Sequence, residues 1–503
     1  MKSLPVKRHS DFLLMIQLRI LSAILMSFCT ISLAQEPEPD RHHTLIIIST
    51  GDIHGHLEQF PKLATVVKQY REQYPHVLLV DSGDFFVGNL YVDNWEQQGR
   101  PITILMDKLR YDVATIGHMD LHYGQKALRD HIKGMPSTRF ISTNVFPSAT
   151  LEGCFSSHIN IPLKGTSVSV GFIGLSDLQT TDIRKLNGIS WKLPHEEEYR
   201  HISRKFRLSR NTLNVVLSHL GYGYDQKMMK YTPNIDIILG GHTHVMLPKG
   251  LFRTGTLLEH TGYGLSHVGV TTVTFSSTEP VKIISRTTRS IALDDKIPND
   301  PEMEEAVNKI IARFPGHAYF NRHAGTAGED LSCPTIGTFF CKAIQRAAHT
   351  DLALYNRSNI WGECRFRKGP ITIKDIYEME PLQEKIVICS MTKADIEQLI
   401  LSKFIAPFSD EGGVFGIYCS GFSYQIKDGT TPYITSTLEK DVTYTVAMGE
   451  YLCHNMQFPQ QGDSQPTDIY VRQALLAYLK EVKTLFNPPP PQLPIIKCPT
   501  FHL

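Results

Sequence analysis

Ile235-Asp236-Ile237-Ile238-Leu239 runs directly into Gly240-Gly241-His242-Thr243-His244, so an apolar segment ends in glycine and histidine. Four earlier apolar runs end in a similar way: residues 44–49 before Gly51-Asp52-Ile53-His54, residues 77–80 before Asp81-Ser82-Gly83-Asp84, residues 113–116 before Gly117-His118, and residues 215–218 before His219. Short apolar runs that alternate with helical polar stretches predict a layered α/β domain. Binding sites in such folds form at the carboxyl ends of the strands, so these polar ends are expected to meet.

The residue types at these strand ends predict a metal site. Carboxylates and neutral imidazoles suit Zn²⁺, Mn²⁺ or Fe. One buried histidine, such as His219 alone, is more often an interior residue, but five such strand ends together favour metal binding. The candidates are too many for one tetrahedral ion and fit two divalent ions, with Zn or Mn preferred; they are Asp52, His54, Asp84, His118, His219, His242 and His244. Two ions about 3.5–4 Å apart suit in-line attack on a phosphate ester.

These motifs resemble, in order and spacing, those of the calcineurin-like metallophosphoesterases. The motifs are Asp52-x-His54, Gly83-Asp84, Gly117-x-x-Asp120, Ser218-His219 and Gly240-Gly241-His242-Thr243-His244. Residues 49–59, 142–145 and 217–221, and much of 318–485, resemble the 5′-nucleotidase/UDP-sugar hydrolase branch of that family. The resemblance implies a layered α/β metallophosphoesterase domain followed by a second α/β domain of the 5′-nucleotidase C-terminal type.

The resemblance also implies a division of labour among the residues. Two overlapping sets would each hold one ion, with Asp84 bridging; they are Asp52, His54, Asp84 and His244, and Asp84, His118, His219 and His242. The second domain would contact the substrate, a small phosphoester and by preference a nucleotide. Asn356, Phe415 and Phe458 occupy positions similar to the family's substrate-binding segments, although Phe415 is also interpretable as a core aromatic residue.

The sequence departs from the family pattern beside the metal motifs. Met119 stands where the family has its catalytic histidine, and His122 stands where the family has the aspartate that orients that histidine. His118 replaces a ligand asparagine, and imidazole is also a good ligand. We predict His122 and His118 as catalytic residues of a rearranged site. A catalytically weakened relative that binds metal and nucleotide is the alternative.

The order of segments predicts an exported two-domain protein. Residues 1–34 have the basic start, apolar run and small-residue end of a signal peptide, with an uncleaved anchor as the alternative. We predict a metallophosphoesterase domain at 42–292, a linker helix at 293–320, a C-terminal substrate domain at 321–485 and a Pro-rich tail at 486–503. A secreted or periplasmic location without a stable membrane anchor follows from this reading.

Composition limits the partners and the redox state. Lys and Arg total 51 and Asp and Glu total 50 among the 503 residues, so no electrostatic case exists for binding a nucleic-acid polymer.

Eight of the nine cysteines follow the predicted signal peptide, and seven of these follow residue 330. An even number in an exported chain predicts disulfides in the second domain. The sequence leaves open their pairing and the oligomeric state.

Overall fold

The computed structural model describes residues 42–179, 186–206, 211–277, 280–314, 316–361, 364–405, 416–427, 433–454 and 464–487. The predicted signal peptide, the predicted substrate residues Phe415 and Phe458, and the tail beyond residue 487 lie outside these ranges. Within the described ranges, no helix combines the length and hydropathy required to cross a membrane.

Two six-stranded sheets form the centre of the first domain. The strands are β1 (His42–Thr50), β2 (Val77–Asp81), β3 (Val113–Thr115), β4 (Arg139–Ile141), β5 (Val145–Phe146), β6 (His158–Pro162), β7 (Ser169–Ser176), β8 (Ser190–Trp191), β9 (Thr212–His219), β10 (Ile237–Gly240), β11 (Leu251–Arg253), β12 (Thr256–His260), β13 (His267–Ser276) and β14 (Lys282–Ala292). The sheet orders are β14-β13-β1-β2-β3-β4 and β11-β12-β10-β9-β7-β6, and β5 pairs with β8.

The central strands of both sheets pair in parallel. Strands β1 to β4 are parallel neighbours, as are β7, β9, β10 and β12, while the antiparallel pairs lie towards the edges. Leu45 and Ile47 of β1 pack towards the second sheet, and Ile46 and Ile48 pack beneath the helices. Because β1 is covered on both faces, its sequence is a continuous apolar run.

Helices cover the outer face of each sheet and complete the predicted layers. The first sheet is covered by α1 (Phe60–Gln73), α2 (Leu90–Asp93), α3 (Arg100–Leu109) and α4 (Gln125–Lys133), and the second by α5 (Glu196–Phe206) and α6 (Tyr222–Tyr231). The 3₁₀ turns in this domain are Leu57–Gln59, Met119–Leu121 and Ala149–Leu151. The layered α/β architecture predicted from the sequence is confirmed.

A capped helix leads from the first domain to the second. The sequence predicts it at 299–314, and it forms as α7 (Pro301–Ala312). The Asp300 carboxylate accepts a hydrogen bond from the amide of Met303 at 2.9 Å, which satisfies a free N–H of the first turn. The apolar face of α7 packs on the core of the first domain. A short helix, α8 (His317–Phe320), follows.

The second domain is also α/β, as predicted. Its strands are β15 (His323–Ala327), β16 (Leu352–Asn356), β17 (Gly369–Thr372), β18 (Lys385–Thr392), β19 (Ile417–Ser420), β20 (Tyr424–Lys427), β21 (Tyr433–Ser436), β22 (Thr443–Gly449), β23 (Gln465–Tyr470) and β24 (Thr484–Leu485). The main sheet has the order β19-β16-β22-β18-β23, and smaller sheets have the orders β17-β15-β24 and β20-β21.

Helices pack on both faces of this main sheet. They are α9 (Cys333–Ala348), α10 (Ile373–Met379), α11 (Lys393–Ile405), α12 (Glu450–His454) and α13 (Val471–Val482), with a 3₁₀ turn at Arg357–Asn359. Helices α9 and α13 share one hydrophobic cluster, and α11 contributes to another on the opposite face. The sequence of 471–485 predicts one closing helix, but α13 ends at Val482, and Thr484 pairs with Thr326 of β15 instead.

A second predicted element is interrupted. The sequence predicts a strand at 142–145, but β4 ends at Ile141 and β5 begins at Val145. Between them the amide of Thr143 donates to the carbonyl of Gly174 at 2.7 Å, and the Asn144 carboxamide bonds the backbone of Ser176. These bonds to residues far along the chain satisfy the polar groups of the segment without a continuous strand. The local sequence pattern does not indicate such distant partners.

Candidate metal centre

The seven predicted metal residues follow five strands that end at the same place in the molecule. Asp52 and His54 follow β1, Asp84 follows β2, His118 follows β3, His219 ends β9, and His242 and His244 follow β10. Because β1, β2 and β3 are parallel in one sheet and β9 and β10 are parallel in the other, their carboxyl ends bring all seven side chains together.

Four of these residues form what we call the inner group: Asp84, His118, His219 and His242. Their ligand atoms all lie within 4.8 Å of one another. The Asp84 Oδ2 atom is 3.0 Å from His118 Nδ1 and 3.0 Å from His219 Nε2. Asp84, His219 and His242 are buried and His118 is half-buried. One carboxylate and three imidazoles make a donor set suited to a borderline divalent ion.

The remaining three residues form the outer group: Asp52, His54 and His244. Their ligand atoms also lie within 4.8 Å of one another. The Nε2 atoms of His54 and His244 are 3.1 Å apart, and each lies 3.9 Å from Asp52 Oδ1. The His54 Nε2 atom is 4.0 Å from Asp84 Oδ2. Asp84 therefore lies beside both groups, as a bridging carboxylate must.

Hydrogen bonds to backbone carbonyls determine which ring nitrogen of His219 and of His54 points into the cluster. His219 Nδ1 lies 2.7 Å from the carbonyl oxygen of Ser82, and His54 Nδ1 lies 3.0 Å from that of Val87. A carbonyl only accepts, so each Nδ1 must carry the proton. In the neutral ring the opposite nitrogen, Nε2, has its lone pair directed at the cluster, which is the usual arrangement for a metal-binding histidine.

A second carboxylate holds the inner loops in position. The Asp120 side chain accepts hydrogen bonds from the amides of Asp84, Phe85 and Gly117 at 2.9, 3.0 and 2.7 Å. A Cβ atom at Gly117 would lie 2.1 Å from Asp84 Oδ1, so glycine is required at that position. Asp120 thus joins the loops after β2 and β3 and positions Asp84 without belonging to either donor group.

The backbone of the cluster is strained. Five of the seven donor residues have positive φ angles: Asp52 at 50°, His54 at 47°, Asp84 at 59°, His242 at 75° and His244 at 53°. Side-chain-bearing residues rarely adopt this conformation, which costs of order 1–3 kcal/mol each. Such strain is typically concentrated at functional sites.

Burial and mutual repulsion keep three imidazoles neutral. Burial lowers the pKa of His54 and of His242 well below the ordinary value, and it lowers the pKa of His244 to about 3. Burial alone would raise the pKa of Asp84, but the adjacent His118 and His219 outweigh it and hold that pKa well below its usual range. Two donors differ: burial opposes protonation of His219, but the Asp84 carboxylate raises its pKa to about 10, and burial raises the pKa of Asp52 well above its usual value. A bound metal would therefore displace a proton from each of these two residues.

The contrast between two buried histidines tests whether the donor set fits a metal. His131 is buried with both ring nitrogens engaged: Nδ1 lies 2.9 Å from Thr103 Oγ1, and Nε2 lies 2.7 Å from the Gln98 carbonyl oxygen. His242 is also buried, yet neither ring nitrogen has a hydrogen-bond partner among the described residues. Buried polar atoms are rarely left unsatisfied, so the donor set fits a bound cation.

Aromatic residues that the sequence did not identify as site residues lie against the outer group. Trp361 packs on His54 with 4.5 Å between ring centroids, and Tyr263 packs on His244 at 4.7 Å. Trp361 belongs to the second domain, and a Cβ atom at Gly88 would lie 2.4 Å from its ring. The family resemblance offers one sequence signal for Trp361, because this residue stands where the resembling family has arginine. The second domain therefore covers one side of the cluster.

The two predicted catalytic residues lie in different surroundings. His118 belongs to the inner group. His122 belongs to neither donor group and packs edge-on against Tyr123 with 5.4 Å between centroids. Met119 donates its backbone N–H to Asp84 Oδ1 at 2.7 Å, while its side chain packs against the apolar core. The turn at Met119–Leu121 and the bond from the His122 amide to the Met119 carbonyl place these two residues one turn apart.

Of the three predicted substrate residues, the structure describes Asn356. It ends β16 and is fully buried, and its amide donates to Ser358 Oγ at 2.6 Å and to Asn359 Oδ1 at 2.8 Å. Its own Oδ1 has no hydrogen-bond partner among the described residues. Asn356 therefore shapes the turn that leads to Trp361, and a substrate contact stays a prediction.

Comparison with known proteins agrees with this architecture. Residues 45–246 match the family model described as calcineurin-like phosphoesterase, and residues 311–460 match the model described as 5′-nucleotidase, C-terminal domain. The solved 5′-nucleotidase precursor from Thermus thermophilus superposes with a TM-score of 0.76 at 22% identity, over 88% of this chain and 97% of that chain. The chain therefore belongs to the calcineurin-like phosphoesterases that carry a 5′-nucleotidase C-terminal domain.

Curated relatives are distant in sequence. The snake venom 5′-nucleotidase of Crotalus adamanteus is 22% identical over 397 residues, which cover 67% of this chain and 66% of that protein. An uncharacterized metallophosphoesterase of Bacillus subtilis, YunD, is 24% identical over 466 residues, or 86% of this chain and 97% of that protein. The match to the venom protein spans slightly less than two thirds of its length, so that protein's activity does not transfer with the fold.

Proposed function

We propose that this protein is an exported, two-metal phosphoester hydrolase that acts on nucleotides or closely related small phosphoesters. The observation that carries the proposal is the position of Asp84 Oδ2, within 3.0 Å of two inner imidazole nitrogens and 4.0 Å from the outer His54. Two donor groups around one carboxylate match the geometry that two-metal phosphoesterases use to hold neighbouring ions.

Each part of the cluster would have a distinct task. Asp52, His54 and His244, with Asp84, would hold one ion, and His118, His219 and His242, with Asp84, would hold the other. Two divalent ions, when bound, would lower the pKa of a water and neutralise charge on the phosphoryl oxygens. The carbonyls of Ser82 and Val87 fix the imidazole tautomers, and Asp120 holds the loop that carries Asp84. Zn or Mn suits this histidine-rich set.

Further observations support a small substrate, export and disulfide formation. Trp361 reaches the outer group from the second domain, so a substrate bound at the cluster would lie next to that domain. Several relatives and structural neighbours carry the name 5′-nucleotidase, among them the Crotalus adamanteus and Thermus thermophilus proteins, which supports nucleotides as the substrate class. The signal-peptide pattern at 1–34 supports export, and the cysteine distribution supports disulfides in the second domain.

The substitution at Met119 supports a second candidate function. A thioether neither carries a proton nor stabilises a developing negative charge, and here it packs against the apolar core. A metal-binding and nucleotide-binding protein with feeble catalysis would retain the same donor groups. The two functions differ in turnover and agree in metal content.

A metal-reconstituted activity assay tests the proposal. The purified chain, stripped of metal and then supplied with Mn²⁺, Zn²⁺ or Co²⁺, should release phosphate from nucleoside monophosphates and lose that activity with a chelator. Asp84→Asn is the inactive comparison, and Asp295→Asn, which changes an exposed carboxylate paired with Lys62, is the matched control. Metal-loaded protein that hydrolyses no phosphomonoester or phosphodiester would contradict the proposal and favour the binding function.

A further inference from the structure

Two cysteines of the second domain face each other across buried elements. Cys389 lies on β18 and Cys453 lies on α12, 64 residues later in the chain. Their sulfur atoms are 3.5 Å apart, and both residues are buried. A disulfide requires an S–S distance of about 2.05 Å, so closing this gap needs a shift of about 1.5 Å shared between two side chains.

A second pair lies near the segment that covers the metal cluster. Cys333 is the first residue of α9, and its thiol lies 3.2 Å from the Tyr418 hydroxyl. The Cys364 thiol lies 3.6 Å from the carbonyl oxygen of Cys333 and also interacts with the Cys333 side chain. Cys364 follows Trp361 by three residues. This pair therefore connects the start of α9 to the segment that carries Trp361.

Each pair combines one acidic thiol with one that holds its proton. The hydrogen bond with Cys364 lowers the pKa of Cys333 to about 6, with help from the nearby Arg357 guanidinium. The hydrogen bond shared with Cys389 lowers the pKa of Cys453 to about 7. The pKa values of Cys364 and Cys389 are raised by the same hydrogen bonds and by burial. A thiolate held against a thiol is the arrangement from which thiol–disulfide exchange begins.

We propose that Cys389 pairs with Cys453, and Cys333 with Cys364, in two intrachain disulfides when the protein meets a disulfide oxidant. The thiolate of one cysteine attacks a sulfur of a low-molecular-weight disulfide such as oxidised glutathione and releases one thiol. The partner thiol then gives up its proton and displaces the second thiol from the mixed disulfide. Two protein thiols become one disulfide, and one disulfide of the oxidant becomes two thiols. The inference is independent of the proposed phosphoesterase activity.

The two bonds would act on different parts of the domain. The first joins β18 to α12 and closes a long loop, which lowers the entropy of the unfolded chain. The second fixes the segment after Trp361 to α9, so it would hold the aromatic cover against His54. The remaining described cysteines serve as internal comparisons: Cys154 lies in the first domain, while Cys341 and Cys419 are buried in the second.

Peptide mapping of the full chain tests the pairing directly. Protein incubated with oxidised glutathione, alkylated and digested without reductant should yield two cross-linked peptides, Cys389 with Cys453 and Cys333 with Cys364. Cys154, Cys341 and Cys419 should be recovered in alkylated form. Recovery of both pairs as alkylated thiols, or cross-links that join other cysteines, would overturn the proposal.

Thermal unfolding provides a second readout with a matched control. Reduction should lower the melting temperature of the oxidised wild type by roughly 5–15 °C, as expected for losing a disulfide that closes a long loop. Cys154→Ser should show the same drop, and the double variant Cys389→Ala/Cys453→Ala should lose most of it. An unchanged melting temperature on reduction of the wild type would contradict the Cys389–Cys453 bond.

Discussion

The inner and outer donor groups share Asp84 as a neighbour but are built differently. The inner group has four donors, all from the first domain, and its backbone loops are held by Asp120. The outer group has three donors; the His244 side chain is about one third exposed, and Trp361 of the second domain packs on His54. The first domain therefore supplies the donors of both halves, but the outer half is also covered by a residue of the second domain.

The difference assigns separate tasks to the two halves. A rigid, buried donor set favours tight and permanent binding of one ion. A half that is covered by a residue of the other domain can respond to what lies between the domains. We therefore expect the inner half to determine whether the site holds a metal ion, and the outer half to influence which phosphoesters reach the metal centre.

The largest expected effect of a substitution outside the donor groups concerns His122, which follows the 3₁₀ turn that begins after His118 of the inner group. If His122 has taken over the task of the family's catalytic histidine, His122→Ala should lower kcat by roughly 10²-fold or more without changing metal content. The single turn between Met119 and His122 makes this exchange geometrically reasonable. Steady-state kinetics with parallel elemental analysis provide the measurement.

Restoring the family pattern is the complementary experiment. The double substitution Met119→His/His122→Asp should leave kcat near the wild-type value if the native arrangement is already effective. Both residues are changed together because neighbours that act as one unit are not additive. A large gain in kcat from the double substitution, with little loss from His122→Ala, would instead identify a weakened enzyme.

A smaller effect is expected at the outer half. Trp361→Ala removes the ring that packs on His54, and an aromatic contact of this kind contributes about 0.5–1.5 kcal/mol. The outer ion should therefore bind roughly 2–10-fold more weakly, while the inner ion keeps its affinity. Trp361→Phe should retain most of the wild-type behaviour. Equal weakening of both ions, measured by calorimetric titration, would mean that Trp361 supports the whole domain rather than the outer group.

Features with a local signal were predictable from the sequence. Each of the apolar runs at 44–49, 77–80, 113–116, 215–218 and 235–239 contains a strand. An apolar run that ends in glycine, aspartate or histidine indicates both a buried strand and the place where it ends. Their parallel pairing follows from the α/β pattern, so the convergence of the seven donor residues could be anticipated. The capped helix at Pro301–Ala312 carried its start signal in Asp300 and Pro301.

Features set by distant contacts were not predictable. Tyr263 reaches the outer group only when the first domain folds, and Trp361 only when the two domains meet, and no spacing near either residue indicates these contacts. The pairing of Cys389 with Cys453 joins residues 64 positions apart. The local sequence places Thr484 and Leu485 in the preceding helix, because their strand partner, β15, lies more than 150 residues earlier. Phe415 and Phe458 stay predictions, since they lie outside the described residues.

Metal content is the most direct test of the two-group centre. The purified chain, stripped and then reconstituted with Zn²⁺ or Mn²⁺, should hold close to two ions per molecule by elemental analysis. Asp84→Asn should lose most of both ions, because the Asp84 carboxylate lies beside both donor groups. Binding of a single ion by the wild type, or an Asp84→Asn variant that still holds two, would contradict the account.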